Sequence, residues 1–171
     1  MNRSPFRVEA LNDLHDRTSF HCGEDALDRY LQMQATQDIR RRVANCFVAV
    51  EIRSGQIAAY YTLSAASIPF LDLPAEVSKR LPRYPTLPAI RIGRLAVDEG
   101  FQGRGLGAAL LADAASRAIR SDAAAFTLMV DAKNDKAVSF YQRYGFRPLT
   151  SRPRTLFLPL ATARKALEDQ L

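Results

Sequence analysis

The chain has 171 residues, of which 47% are hydrophobic, and 24 Lys and Arg stand against 18 Asp and Glu. This length predicts one domain over residues 1–171, and the composition excludes a disordered chain and a disulfide-dependent miniprotein. No apolar run approaches the roughly 20 residues of a membrane span, and no apolar stretch resembles a signal peptide. Cys22 and Cys46 show no metal-ligand spacing, so we expect a cytoplasmic protein with reduced thiols and no membrane partner.

The positive charge is carried almost entirely by arginine. The formal net charge is +6, and 20 of the 24 basic residues are Arg. Arginine pairs bidentately with phosphate, so an anionic partner such as nucleic acid or a polyphosphate-bearing cofactor is one interpretation. Ordinary surface charge in a chain with Arg-rich codon usage is the other, and the charge alone does not separate them.

The first part of the chain predicts a strand, a helix and a hairpin. Residues 7–9 form a short candidate strand, and apolar residues recur at helical spacing over 23–42. Residues 46–52 and 57–67 then flank a Ser-Gly turn, which indicates a β-hairpin.

A proline-rich segment follows at residues 69–88. Its five prolines exclude a continuous strand or stable helix. It is either a structured excursion within the domain or a linker. We favour the excursion, because neither flanking part alone would make a comfortable domain.

Strands and helices alternate in the second part, which is typical of an α/β domain. Gly145 is a suitable residue to end the second helix. The predicted strands are 90–97, 126–131 and 155–160, and the predicted helices are 105–120 and 136–144.

The most informative segment is a glycine loop between a strand and a helix. Gly103, Gly105 and Gly107 alternate, so the backbone can approach a ligand closely. The helix that begins there offers free N–H groups and a positive dipole end to an anion. A pyrophosphate fits this chemistry, with Gln102 and Arg104 as further donors. A tight strand–helix connection without a ligand is the alternative.

Two other phosphate-binding motifs fit this loop less well. A Walker A loop requires Gly-Lys-Ser/Thr, which is absent here. A dinucleotide fingerprint fits Gly103, Gly105 and Ala108, with Asp131 ending a later strand. It ranks lower, because residues 98–102 separate the strand from the first glycine, where the dinucleotide fold turns at once.

The run Gln102-Gly103-Arg104-Gly105-Leu106-Gly107 resembles the Q/R-x-x-G-x-G/A acetyl-CoA loop of GNAT N-acetyltransferases. Residues 134–146 are similar to the later helix of that family and the strand after it. The resemblance implies a single α/β GNAT domain with a central mixed sheet flanked by helices. It also implies an acetyl-CoA-dependent acyltransferase that uses no metal.

A narrower resemblance is to the GNAT toxins of toxin–antitoxin pairs, which acetylate aminoacyl-tRNA. The residues that carry it are 20–23, Leu27, 30–31, 34–35 and 37–38 before the arginine run 40–42, then 93–97 and 154–158. It implies aminoacyl-tRNA as acceptor and inhibition of translation. It further implies a cognate antitoxin, commonly a ribbon-helix-helix DNA-binding protein, and often a homodimer.

The family resemblance assigns roles to particular residues. Backbone N–H groups of the strand before the loop stabilise the oxyanion, and Tyr141 is the candidate acid for the departing thiolate. Spacing alone favours simple packing of Tyr141 on the sheet. Asn134 is a helix N-cap, a contact to the pantetheine arm, or both. The cofactor-binding candidates are Leu95, Ala96, Val97, Gln102, Gly103, Arg104, Gly105, Leu106, Gly107 and Asn134.

The acceptor side is less well defined by the sequence. The sequence contains no evident strong general base. This mildly favours an α-amino group as acceptor over a lysine side chain, because an α-amino group, with a pKa of about 7.7–8.0, is already partly deprotonated without a base. Tentative RNA contacts are Arg40, Arg41, Arg42, Arg91 and Arg94, although a solvated surface is the default for such residues. Two alternatives stay open: an acceptor that is a small-molecule amine or a protein N-terminus, and a non-catalytic RNA-binding module.

Overall fold

A computed structural model describes residues 3–170, within which seven strands form one mixed sheet in the order β1-β2-β3-β4-β5-β7-β6. The strands are β1 (Phe6–Ala10), β2 (Asn45–Glu51), β3 (Ile57–Pro69), β4 (Thr86–Val97), β5 (Thr127–Asp131), β6 (Arg147–Pro148) and β7 (Thr155–Pro159). The helices are α1 (Asp25–Arg29), α2 (Ala35–Arg40), α3 (Ala75–Ser78), α4 (Leu106–Arg120), α5 (Asp135–Arg143) and α6 (Leu160–Glu168). The predicted α/β class with a central mixed sheet and flanking helices is confirmed.

The register of the sheet shows where the pairing between β4 and β5 ends. β1 and β2 pair antiparallel, as do β2 and β3, with a register shift at Ala49/Val50. β4 and β5 pair in parallel over Ala89–Ile92, whereas β4 itself continues to Val97. The end of β4 that leads into the glycine loop therefore lies beyond the part of the strand that pairs with β5.

The Cα positions divide into two compact units, and the prediction of one domain over residues 1–171 stays a prediction. The first unit, residues up to 64 and Gly93–Asp113, has its own apolar core. Tyr60 and Phe20 are at its centre and meet edge to face at 5.4 Å between ring centroids. The Tyr60 hydroxyl donates to the Leu27 carbonyl at 2.6 Å, which ties β3 to α1. This core holds the N-terminal helices on the sheet.

The second unit, residues 65–92 and those from Ala114 onward, has a separate core. Its buried residues include Ile68 and Leu87 from β3 and β4, together with Met129 and Phe157 from β5 and β7. Residues Thr127–Val130 of β5 are all buried, which explains why the apolar residues Leu128, Met129 and Val130 are consecutive rather than alternating with polar ones.

The helix predicted over residues 23–42 contains a π segment that the sequence did not indicate. Tyr30–Gln34 separates α1 from α2, and the Ala35 N–H donates to the Tyr30 carbonyl five residues earlier. The extra residue in this turn brings Asp38 to the face of Tyr30, where the Tyr30 hydroxyl donates to Oδ2 of Asp38 at 2.8 Å. The helix predicted over residues 23–42 is therefore present from Asp25 to Arg40, with this π turn inside it.

The proline-rich segment 69–88 is structured, and its interpretation as an excursion within one domain stays a prediction. It contains a short 3₁₀ turn, Phe70–Asp72, then α3, and it enters β4 at Thr86, earlier than the predicted start. Sequence analysis did not predict α6, and the two-residue strand β6 lies just after Gly145, which ends α5 with φ +92°.

Neither a membrane-spanning helix nor a metal-binding cluster is found in the part of the chain that is described. No helix within residues 3–170 combines the length and apolar character needed to cross a bilayer. The same residues contain no group of three or more His, Cys, Asp or Glu side chains arranged to hold a metal ion. Neither Cys22 nor Cys46 is part of a disulfide bond.

Candidate functional site

A buried aspartate anchors the start of the glycine loop. Asp98 follows β4 directly, is 6% exposed, and caps the 3₁₀ turn Glu99–Phe101. Its two carboxylate oxygens accept from the N–H groups of Gly100 and His21, each at 2.8 Å. The Glu99 N–H in turn donates to the His21 carbonyl at 2.7 Å. The loop is therefore joined to the segment before α1 by hydrogen bonds to a charged acceptor.

Replacing Asp98 by asparagine is expected to lower the free energy of unfolding by about 2–4 kcal/mol, because one acceptor becomes a donor facing a backbone N–H. Thermal or urea unfolding would measure this loss. Asp13→Asn, on an exposed side chain in the first unit, serves as control. An unchanged midpoint for the Asp98 variant would contradict the anchoring role.

The two central glycines of the loop have backbone conformations that favour glycine. Gly103 and Gly105 have φ values of +79° and +78°, and a Cβ atom at either position would meet nothing within 4 Å. The left-handed conformation turns the chain into the first residue of α4, Leu106. Open space above two such residues, followed by a helix N-terminus, fits the phosphate cradle predicted from the sequence.

The two polar side chains of the loop, Gln102 and Arg104, differ in how far they are engaged with the protein. The Gln102 amide donates to the carbonyl oxygens of Val97 at 3.1 Å and Cys22 at 3.4 Å, so it holds the loop against its own unit. Arg104 lies 3.9 Å from Glu51 and about half of its side chain is exposed. Its guanidinium is therefore accessible to an anion, whereas a phosphate contact by Gln102 stays a prediction.

The last residues of β4 are placed for backbone chemistry. Ala96 is buried in the core of the first unit, and Leu95 and Val97 are partly buried. Their side chains pack, so any role in stabilising an oxyanion belongs to their backbone N–H groups, as the resemblance implies.

Arg94, on β4, contacts a group of polar side chains from the N-terminal helical segment. Its guanidinium carbon lies 3.6 Å from the centroid of the Tyr30 ring, a cation–π contact. Gln34 and Tyr30 donate to Asp38 and, with a smaller contribution from Arg94, lower the pKa of the Asp38 carboxyl. A cavity of about 590 Å³ opens beside this group, and Met33 at its wall is 70% exposed.

The remaining arginine candidates have different environments. Arg40 ends α2, and Arg41 and Arg42 follow it in an exposed turn in which Arg42 has φ +59°. Arg91, on β4 in the second unit, lies 3.7 Å from Asp131, and its Nε atom is buried without a hydrogen bond. Arg40–Arg42 are therefore accessible to RNA, whereas Arg91 is partly engaged with a carboxylate.

Helix α5 carries the other two candidates. The Asn134 side chain accepts from the Ala137 N–H at 2.9 Å, so its predicted role as N-cap is confirmed, and its contact with pantetheine stays a prediction. Tyr141 is 8% exposed and its ring meets Phe146 edge to face at 5.5 Å. Burial raises the pKa of the Tyr141 hydroxyl to about 12. No hydrogen bond engages this hydroxyl within residues 3–170.

Sequence reasoning missed Asp98 and the pairing of Tyr30 with Asp38. An Asp two residues before a glycine, at the end of a strand, is a turn-capping signal that was available. No local signal marks the Tyr30 pairing, because it depends on the π segment.

Comparisons with known proteins agree with this arrangement. Residues 80–156 match the family model described as "Acetyltransferase (GNAT) domain". A tRNA-acetylating toxin of Mycobacterium tuberculosis is 35% identical over 161 residues, covering 93% of this chain and 95% of the relative.

Two solved structures are similar over nearly the whole chain. The toxin AtaT complexed with acetyl-methionyl-tRNAfMet superposes with a TM-score of 0.85 at 30% identity, covering 95% of this chain and 99% of that one. A tyrosine-to-phenylalanine mutant of AtaT, bound to the C-terminus of the antitoxin AtaR and acetyl-CoA, gives a TM-score of 0.78 at 27% identity, covering 96% and 99%. The glycine loop, the sheet and these relatives together show that the chain belongs to the GNAT acetyltransferase family.

Proposed function

We propose that this acetyltransferase moves the acetyl group of acetyl-CoA to the α-amino group of the amino acid on a charged tRNA. The observation that carries the proposal is the likeness, over 93% of the chain, to a relative that is a tRNA-acetylating toxin. An acetylated α-amine cannot attack the ester of the peptidyl-tRNA, so peptide bond formation stops. The protein then acts in the cytoplasm as the toxin of a toxin–antitoxin pair.

Acetyl-CoA binding is assigned to the glycine loop and the start of α4. The N–H groups from Gly103 to Gly107 bind the pyrophosphate, assisted by the dipole of a 15-residue helix. Arg104 adds a guanidinium that is about half exposed and only weakly engaged with Glu51. Asn134 contacts the pantetheine arm in addition to capping α5.

The reaction itself forms a C–N bond and breaks a C–S bond. The neutral amine attacks the thioester carbonyl, and a backbone N–H at the end of β4, from Leu95, Ala96 or Val97, stabilises the oxyanion. As the tetrahedral intermediate collapses, the Tyr141 hydroxyl donates its proton to the departing thiolate of coenzyme A. The amine loses its proton to solvent, and the Tyr141 phenolate regains one from solvent.

The pH dependence of transfer follows from these two groups. The rate is expected to rise between about pH 6 and 8 as the α-amine deprotonates. Since burial raises the pKa of Tyr141 to about 12, the phenol stays protonated, and no decline is expected up to about pH 10. Single-turnover transfer over this range would test it, with acetyl-CoA binding followed in parallel. A decline in the transfer rate beginning near pH 8, measured on charged tRNA that is still intact, would contradict Tyr141 as an acid with so high a pKa.

The acceptor RNA and the protein partners complete the proposal. Arg40, Arg41, Arg42, Arg91 and Arg94 contribute contacts to the tRNA backbone. AtaT is bound to the C-terminus of an antitoxin, and we assign this chain a cognate antitoxin of the ribbon-helix-helix type and a homodimeric state. Size-exclusion chromatography with light scattering would test the dimer.

A cell-free translation assay tests the proposed function. Protein with acetyl-CoA should stop synthesis, and fresh aminoacyl-tRNA should restore it once the enzyme is removed. Protein without acetyl-CoA is the control. Unimpaired synthesis by active enzyme would point to a small-molecule amine or a protein N-terminus as acceptor.

A further inference from the structure

The excursion between β3 and β4 ends in a run of basic and aromatic side chains. Its sequence after α3 is Lys79-Arg80-Leu81-Pro82-Arg83-Tyr84, named here the basic–aromatic segment. The side chains of Lys79, Arg80, Arg83 and Tyr84 are all exposed, Tyr84 to 62%. The segment therefore presents one aromatic ring and three cationic side chains on an exposed surface.

The segment is held in a fixed conformation from its inner side. Leu81 and Val77 pack against the core of the second unit, beside Leu73 and Leu87. The N–H groups of Arg80 and Leu81 donate to carbonyls of the preceding helical turn at 3.3 and 3.0 Å. Pro82 and Pro85 restrict the backbone further. A ligand that binds the outer side therefore meets a preorganised surface, with little entropy cost of ordering.

The acidic residues of the excursion are already engaged. Asp72 accepts from Arg152 at 2.8 Å and from the Ser151 hydroxyl at 3.1 Å, and the Arg152 bond lowers the pKa of the Asp72 carboxyl. Glu76 forms an ion pair with Arg147. Within residues 3–170, no ion pair engages Arg80 or Arg83, so their charge is uncompensated.

We propose that the basic–aromatic segment binds the substrate tRNA, an inference that rests on the proposed function. Lys79, Arg80 and Arg83 bind consecutive phosphates, and the Tyr84 ring stacks on an unpaired base. Phosphates need accessible cations, and single-stranded bases need exposed aromatic faces; the segment presents both together. An acidic protein partner would use the cations but would leave the Tyr84 ring without a stacking role.

The test is tRNA binding and acetylation across a range of salt concentrations. In the Arg80→Ala/Arg83→Ala variant, the slope of log Kd against log salt should become shallower by about 1.4–1.8, because each phosphate contact contributes about 0.7–0.9. The KM for charged tRNA should rise about tenfold or more, with kcat and acetyl-CoA affinity unchanged. Arg53→Ala, which removes an exposed arginine from the β2–β3 turn, is the matched control and should change neither slope nor KM.

The aromatic contribution is separable from the charge. Tyr84→Ala should raise the Kd for tRNA about 5- to 150-fold with little change in salt slope, and Tyr84→Phe should retain wild-type binding. Thermal melting and acetyl-CoA affinity verify that each variant is folded.

The outcomes distinguish this inference from the function on which it rests. Wild-type transfer to charged tRNA together with unaltered tRNA binding in the folded variants would overturn the inference and leave the function intact. Variants that keep tRNA binding but lose binding to a purified antitoxin would assign the segment to a protein partner, which also overturns it. Failure of the wild-type enzyme to bind or acetylate charged tRNA would overturn both.

Discussion

Replacing Tyr141 by phenylalanine is expected to lower the rate of acetyl transfer about 10²- to 10⁴-fold, the usual contribution of a general acid. The substitution removes only the hydroxyl, so the ring keeps its contacts with Phe140 and Phe146 and the fold should be retained. Because no hydrogen bond engages this hydroxyl in residues 3–170, stability should scarcely change. Single-turnover transfer measures the effect, and calorimetry verifies unchanged acetyl-CoA affinity.

The matched control for this experiment is Tyr144→Phe. Tyr144 follows α5 directly, its ring contacts Phe140 at 5.3 Å, and it is 39% exposed. We interpret it as structural, so its hydroxyl should be dispensable for transfer. Full activity of the Tyr141 variant would remove Tyr141 from the mechanism, and equal losses in both variants would indicate a shared packing effect.

Substituting alanine for Gly105 should weaken acetyl-CoA binding about 5- to 30-fold. An L-residue at φ +78° costs about 1–2 kcal/mol, and the open space around the loop lets the variant relax out of that conformation. Binding must then restore the strained conformation, so the cost appears in the Kd for acetyl-CoA. Isothermal titration calorimetry gives this constant directly.

Gly55→Ala provides a close conformational control. Gly55 has φ +74° and equally open surroundings, but it lies in the turn between β2 and β3. Because both variants can relax in open surroundings, they should have similar thermal stability, whereas only the Gly105 variant should lose acetyl-CoA affinity. Equal affinity in both would show that the loop does not hold the phosphates.

Features encoded in short segments could be predicted from the sequence. The hairpin, α4 and the strand before it follow from apolar periodicity, and the glycine loop follows from alternating glycines that the structure places at positive φ. The cap by Asn134 is likewise a local signal, since its side chain reaches the N–H of Ala137 three residues on.

Features that depend on distant partners could not be predicted in this way. The π segment aligns Tyr30 with Asp38 and places its ring beneath Arg94, which is 64 positions later in the chain. The start of β4 at Thr86 was not predicted because of Pro85 and Pro88. Proline lacks the N–H that a strand donates to its neighbour, so it argues against a strand in the sequence. Helix α6 was missed because only Leu160 and Ala163 are buried along it, a weak periodic signal.

The most direct test of the central claim is transfer of radiolabelled acetyl from acetyl-CoA to a mixed pool of aminoacyl-tRNA, with deacylated tRNA as control. The account predicts label on the charged pool alone. That label should be released as N-acetyl amino acid when the ester bond is hydrolysed, which places the acetyl group on the α-amine. Absence of label, from enzyme that demonstrably binds acetyl-CoA, would contradict the proposed acceptor and leave the family assignment in place.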